Sequence, residues 1–523
     1  MAGIQNDEAL FGSAIYEQSG IADHVQIGGK RVPLMLMSYL GALKSWIYTP
    51  LFRRWRPSAA STRIPMILVG VATICLFWSL TRRISGPRAA MTACALLTAD
   101  TLFLLTTCFD WGPVALQHLL LVSALLCLVR FHEEGRWQFL AAGFFLFGLG
   151  MWDKALFAWV LSGVAIATLA VYPKALWKRF TFHNLTVSTV SFCLGSAPLI
   201  VYNIHFPLET FRANAAYTAD DVAGKSRLLL ATLGGDALLS YIPRDDPAGF
   251  PRAPHTPLER SSVWISEKAG GMQLNLFAWT VALALFLTPW LWTTPAGRPL
   301  LFTLIAFSVG WLQMLFAKGA GGSVHHVILL WPLPALFVGV ALAEASRRIG
   351  RIGGPMLAAL IALVAGSNLL MTNEYFARLV RNGPRVEWTD AIYPLSDCLK
   401  RVKPRAIYIL DWGMFDNLVM LNRGSLPLRV GGDPLSKPQM DAEDKRIVLE
   451  RVAEPGAVFV GHTDGNELFA GVNAKLLAVA TEAGYRRESV EQIPDRNGRP
   501  VFDVVRFARR SDGVDGQSRV HFP

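Results

Sequence analysis

Residues 33–52 read PLMLMSYLGALKSWIYTPLF, apolar along most of their length but with Lys44 in mid-segment and a proline near each end. How this stretch is read decides the fold. As a membrane span it would put residues 1–32 on the opposite face from the turn that follows it. As a helix lying in the interface it leaves them on the same face. A charge halfway along a bilayer-crossing helix is costly, so the segment reads as an interfacial helix. Downstream of it ten stretches are apolar enough to cross a bilayer: roughly 64–81, 89–107, 113–129, 137–152, 155–172, 184–202, 273–292, 299–316, 327–345 and 354–371.

Composition agrees with that count. The chain has 523 residues, of which 52% are hydrophobic and only 17% charged, a balance few soluble domains reach. Its formal charge of +11 could mark a nucleic-acid binder, but no basic stripe interleaved with surface aromatics accompanies it. Cationic loops beside membrane spans account for it, and no nucleic-acid partner is expected. Six cysteines without CxxC or metal-ligand spacing predict neither a disulfide framework nor a cysteine metal site.

Charge counting orients the spans. With residues 1–63 outside, the inner loops carry Arg82, Arg83, Arg88, Arg130, Arg136, Lys174, Lys178, Arg179, Arg298, Arg347, Arg348 and Arg351, whereas the short outer turns carry only Lys154 and Lys318. That asymmetry follows the positive-inside rule and predicts a multi-pass inner (cell) membrane protein. Its parts are a first extracytoplasmic loop with the interfacial helix (1–63), a transmembrane helical domain (64–371) with a large outer loop (203–272), an extracytoplasmic α/β domain (372–510) and a disordered tail (511–523). Within the α/β domain 405–410, 457–461 and 502–507 read as strands, and 390–402, 413–422, 441–452 and 466–483 as helices. Residues 1–32 carry no signal-peptide pattern.

Ionisable residues gather on the outer face. Asp7 and Glu8 precede every apolar stretch. Asp110 ends a span in CFDWGP, Lys154 sits in GMWDKALF, and His325 and His326 follow KGAGGS and open the next span. Each has an ordinary reading as well: solvated acids, a helix-end marker, a lysine that pairs with Asp153 or snorkels, two polar loop histidines. Together they describe a carboxylate facing a cavity rimmed by cations, which suits a transferase that deprotonates an acceptor and anchors a phosphate leaving group. The paired acids leave room for a divalent cation without requiring one. A transporter or flippase of a lipid-linked saccharide is the alternative, but transporters tend to carry internal repeats and midplane sites, and these charges lie at one face.

The order of these motifs resembles the C-type (GT-C) integral-membrane glycosyltransferases, which use polyprenyl-phosphate sugars. STRIP (61–65), LLTAD…CFD (96–110), GLGMWDKALF (148–157) and HHVILLWPLP (325–334) extend the likeness over about residues 5–371. The pattern is most similar to glycosyltransferase family 39, the protein O-mannosyltransferases and lipid A aminoarabinose transferases. The resemblance implies a GT-C-like helical membrane fold and inverting transfer from a polyprenyl-phosphate-linked sugar to a lipid, glycan or protein acceptor. It implies Asp7 as general base with Glu8 positioning it, Asp110 orienting a cationic or sugar-binding partner, and Lys154 with His325 or His326 on the donor phosphate. That family carries a span ahead of its acidic loop. None precedes Asp7, so either translation starts upstream of Met1 or the first helix is absent. DWGMFD (411–416) lacks the tandem tryptophan of the oligosaccharyltransferase signature and is set aside.

Overall fold

A chain segment in hydrocarbon must satisfy its own backbone, which favours helices, and each of the ten apolar runs falls on helix. The structure is a computed structural model describing residues 2–17, 20–214, 216–271 and 275–510. It has two units: a helical one over residues 7–385, and a smaller one made from residues 2–6 and 386–510.

The helical unit opens with α1 (Asn6–Ser13) and a three-stranded antiparallel sheet, β1 (Asp23–Ile27), β2 (Lys30–Met37) and β3 (Leu40–Gly41). Gly28 and Gly29, with φ of +56° and +74°, make the two-residue turn between β1 and β2, the backbone such hairpins require. The expected interfacial helix is therefore corrected. Residues 33–41 are mostly strand, and helix begins only at α2 (Leu43–Arg54). The reason lies in packing: Leu34 and Met35 are buried against Trp152, Leu199 and Tyr202, and the Trp152 indole N–H donates to the Leu34 carbonyl at 2.8 Å.

Next comes α3 (Ala59–Ala99), started by a capping box in which Ser58 and Ser61 satisfy each other's backbone N–H. It holds two of the expected runs, broken at Gly86 (φ +84°), where Pro87 lacks the N–H needed to continue the ladder. Asp100 caps α4 (Thr101–Cys108) by accepting from the Phe103 N–H at 2.8 Å. Then follow α5 (Val114–Glu134), α6 (Trp137–Asp153) and α7 (Phe157–Val171), with α5 packed between α3 and α6. Gly148 of α6 meets Gly195 of the helix Phe182–Gly195 so closely that a Cβ on Gly148 would lie 2.3 Å from the Phe192 carbonyl oxygen. Small residues permit such crossings.

Among the described residues four helices are long and apolar enough to cross a membrane: α3, α5, Gly297–Phe316 and Gly353–Arg381; counting each of three bent pairs as one span gives seven. The shortfall from ten has a physical cause: two runs share α3, while α6 and Phe277–Leu291 are only 17 and 15 residues long. Residues 203–272 carry short helices, Glu209–Asn214, Val222–Gly234 and Pro257–Lys268.

In the smaller unit five strands lie in the order β5-β4-β6-β8-β7: β4 (Ala406–Ile409), β5 (Leu428–Val430), β6 (Ala457–His462), β7 (Tyr485–Pro494) and β8 (Pro500–Arg509). The first three pair in parallel, while β8 and β7 are antiparallel. Helices Ile392–Val402 and Phe415–Leu421 bury leucines against one face, and Ala442–Ala453 and Val472–Glu482 cover the other, giving an α/β layering. Strands β4, β6 and β8 and all four helices were expected; β5 and β7 were not. The boundary moves from 372 to 386, since the helix Gly353–Arg381 runs on past the apolar stretch. Residues 511–523, expected to be disordered, lie outside the described residues.

Residues 2–6, expected in an outer loop, belong to this unit instead. The Gly3 N–H donates to the Trp388 carbonyl at 2.7 Å, the Asn417 amide donates to the Ile4 carbonyl at 2.8 Å, and Ile4 is buried. A Cβ at Gly3 would lie 1.9 Å from the Thr389 carbonyl oxygen. Gly3→Ala should therefore destabilise the unit by about 1–3 kcal/mol, read as faster amide exchange around Trp388 and β4. Unchanged exchange there would refute the docking of this segment.

Candidate functional site

The site is assembled in the helical unit from the loops that close its helices. Between α4 and α5 the chain turns through Phe109–Pro113. Asp110 holds a φ of +50° and Gly112 one of +63°, left-handed backbone that aspartate tolerates better than most residues. The turn drives the Asp110 side chain inward, where it is wholly buried. There the Lys44 ammonium of α2 approaches its Oδ1 at 2.7 Å and the Tyr48 hydroxyl donates to its Oδ2 at 2.5 Å. Lys44, itself fully buried, also donates to the Gly112 carbonyl at 2.6 Å and lies over the Phe11 ring, 4.4 Å from its centroid.

Burial pushes the Asp110 carboxyl up to about 7, against the pull of Lys44. Burial and then the Asp110 charge raise the Tyr48 phenol well above its usual range, so Tyr48 stays a donor. A second buried pair lies beside the first. The Arg63 guanidinium grips Glu8 through Nε at 2.7 Å and Nη2 at 2.9 Å, and the Thr62 hydroxyl donates to the same carboxylate at 3.4 Å. Glu8 is completely buried in this fork.

Asp7 is placed differently. It is partly exposed, and the Trp111 indole N–H donates to its Oδ2 at 3.2 Å. The same indole stacks on Tyr241 (centroids 5.0 Å apart) and leans on the His325 ring (4.8 Å). Trp111 thus joins the acid to the histidine pair. His325 and His326 lie ring against ring at 4.2 Å, with the Ser323 hydroxyl 2.8 Å from His325 Nδ1.

Lys154 is the C-cap of α6. Its strand-like backbone pairs with Leu40, and the next N–H, of Ala155, donates to the Tyr39 carbonyl at 2.9 Å. Its side chain is buried, and among the described residues none forms an ion pair or hydrogen bond with its Nζ. Asp153, the expected alternative partner, is taken by the Gln117 amide at 2.7 Å. Burial pulls the Lys154 ammonium down to about 8, while Asp7 and then Asp153 pull it back up. Its charge also reaches both histidines. Burial and then Asp7 raise the Tyr39 phenol.

Beside this cluster a cavity of about 380 Å³ is lined by Tyr39, Leu156, Asn214, Lys318, His326 and small residues. One wall is a short antiparallel pairing: Lys318 N–H donates to the Ala216 carbonyl at 2.7 Å, and Thr218 N–H to that of Phe316 at 2.8 Å. The Lys225 ammonium fixes the end of the helix Gly297–Phe316 by donating to the carbonyls of Met314, Leu315 and Ala317 at 3.2, 3.2 and 2.6 Å. Among the described residues no group of three or more His, Cys, Asp or Glu is arranged to hold a metal ion.

The structure therefore brings Asp7, Lys154 and the two histidines into one cluster and puts Glu8 and Asp110 in buried pairs behind it. Lys44, Tyr48, Arg63 and Trp111 were not singled out from the sequence. Lys44 had left a signal, a charge inside an apolar run, and Arg63 stood inside the STRIP motif.

Residues 41–201, which include Lys44, Arg63, Asp110, Trp111 and Lys154, match the family model described as dolichyl-phosphate-mannose-protein mannosyltransferase. No curated protein matches the chain. The structure is similar to ArnT from Cupriavidus metallidurans bound to undecaprenyl phosphate, with a TM-score of 0.59 and 14% identity over 96% of this chain and 94% of that one. Its apo state gives the same TM-score at 13% identity over the same shares of the two chains. A weaker likeness, TM-score 0.48 and 10% identity over 99% of this chain and 71% of that one, links it to the archaeal oligosaccharyltransferase AglB from Archaeoglobus fulgidus, solved with an inhibitory peptide and a dolichol-phosphate. The fold is that of the C-type membrane glycosyltransferases. The chain shares that fold and carries apolar helices as a multi-pass membrane protein does, and its residues 41–201 are mannosyltransferase-like.

Stability should depend on the Lys44–Asp110 pair asymmetrically. Lys44→Met strands a buried carboxylate and should cost about 3–5 kcal/mol, whereas adding Asp110→Leu should recover most of that loss. Unfolding of the single and double variants in mixed micelles checks this. A double-variant loss equal to the sum of the Lys44→Met and Asp110→Leu losses would mean the pair is not coupled.

Proposed function

We propose that this protein moves a sugar from a polyprenyl-phosphate donor to a nucleophile on a lipid, glycan or protein acceptor by inverting displacement. The observation that carries the reading is Lys154: a buried ammonium without a side-chain partner among the described residues, within electrostatic reach of Asp7 and of both histidines. An uncompensated buried cation is costly and suits an anion that arrives with the substrate. The ArnT structure with undecaprenyl phosphate supports a lipid phosphate as that anion.

In the proposed reaction Asp7 accepts the proton of the acceptor hydroxyl. The oxygen then bonds to the anomeric carbon from the face opposite the phosphate. The carbon–oxygen bond to phosphate breaks, and its electron pair stays on the phosphate oxygen, turning the monoanionic diester into a polyprenyl phosphate dianion that needs no proton. Lys154 holds that phosphate, with His325 and His326 as hydrogen-bond partners. Trp111 keeps Asp7 directed at the acceptor, while Glu8 and Asp110 hold α1, α2 and α3 in register around it. The acceptor enters from the extracytoplasmic face of the inner membrane, a placement supported by the loop charges. Reporter fusions after Arg83 and Arg179 should read as cytoplasmic and one after Ala457 as external; the opposite result at two sites would reverse the topology.

Asp7→Asn keeps size and polarity but removes the base, so transfer should slow by about 10²–10⁴-fold with donor affinity intact. Lys154→Ala should act the other way, raising the donor KM more than it lowers kcat. Donor binding should also weaken as pH rises through about 8, where Lys154 loses its proton, and Lys154→Arg should remove that dependence. Wild-type turnover by purified Asp7→Asn would overturn the assignment.

A further inference from the structure

We propose that the bend joining α7 to the helix Phe182–Gly195 is a binding site for the headgroups of anionic phospholipids, separate from the reaction site. After Val171 the chain turns by 99° into a short helix, Pro173–Arg179. Where the chain leaves the apolar run at the end of α7, so sharp a turn lays the short helix along the membrane surface instead of continuing the span. The helix then gives way to Phe182–Gly195, which Thr181 caps by accepting from the Asn184 N–H at 3.2 Å.

The exposed face of this helix fits that surface. Lys174, Trp177 and Lys178 stand at i, i+3 and i+4 and share one side, and all three are exposed, Trp177 to 75%. Ala175 and Leu176 are partly buried on the other side. Phe180 packs edge-on against Trp177 with ring centroids 5.8 Å apart and is itself exposed. Two exposed aromatic rings beside two ammonium groups match the depth profile of a headgroup layer, with rings at the acyl boundary and cations at the phosphates.

The charges are available. Among the described residues neither Lys174 nor Lys178 forms an ion pair, while the neighbouring acids are taken: Glu133 by Arg83, and Glu134 by Arg130 at 3.1 Å. Arg179 holds the bend in place, its guanidinium 5.4 Å from the Phe131 ring centroid and within 3.4 Å of the His132 carbonyl. That contact sets the start of α6, with exposed Trp137, beside the short helix, and widens the aromatic rim. The ligand class is a lipid phosphate bearing net negative charge, bound by two point charges.

The test uses the full chain in detergent, titrated separately with phosphatidylglycerol, phosphatidylcholine and inorganic phosphate, with bound lipid counted by native mass spectrometry. Wild type should prefer phosphatidylglycerol. The double variant Lys174→Gln with Lys178→Gln should lose about 30-fold of that preference, about 5-fold per lysine. Replacing both lysines by arginine should keep it, which separates charge from misfolding. Inorganic phosphate should not compete at millimolar concentration. The site is refuted by equal binding of the two lipids to wild type, by unchanged preference in the glutamine variant, or by competition from free phosphate. Transferase activity of the glutamine variant on a saturating donor should stay unchanged, so its result is independent of the assignment of Asp7.

Discussion

Much of the helical unit depends on one buried ion pair, Lys44 with Asp110. Two opposite charges removed from water are tolerated only when their remaining hydrogen-bonding capacity is met. Here Gly112 accepts from Lys44 and Tyr48 donates to Asp110. Those four groups come from α2 and from the turn between α4 and α5, so satisfying them brings two distant parts of the chain together. The Arg63–Glu8 fork does the same for α1 and α3. Trp111, next to Asp110 in sequence, then has little freedom left. Its indole is aimed at Asp7 because its neighbour is fixed by Lys44.

Two adjacent acids thus occupy different surroundings. Glu8 is fully buried and gripped by Arg63 through two nitrogens, whereas Asp7 is partly exposed and accepts from the Trp111 indole N–H at 3.2 Å. Burial and partners, more than residue type, separate them.

The helical architecture was legible because lipid-crossing runs need length and apolarity, properties each residue contributes locally. Strands β4, β6 and β8 were legible for the same reason, as they are buried β-branched runs. Strand β7 was not: its sequence YRRESVEQIP is polar, and it is recruited as a partner of β8. Residues 33–41 misled because apolarity alone does not separate a buried strand from a helix of the same length. Within the site, Lys154 and the histidines stood out as polar groups at span ends, and Asp7 as half of an acidic pair ahead of every apolar stretch. Trp111 did not, for its role arises from three contacts made by residues 7, 241 and 325, which only folding brings together.

Residues 2–6 form part of a unit whose remainder begins at Val386. The segment leaves the ribosome about 380 residues before its partners, an interval of about 20–75 s at ordinary elongation rates. Throughout that time Ile4 has no core to enter, and the backbone N–H of Gly3 has no carbonyl from Trp388 to meet. Completion of the smaller unit therefore waits for the last quarter of the sequence, and it joins residues 2–6 and 386–510 in a single folding step.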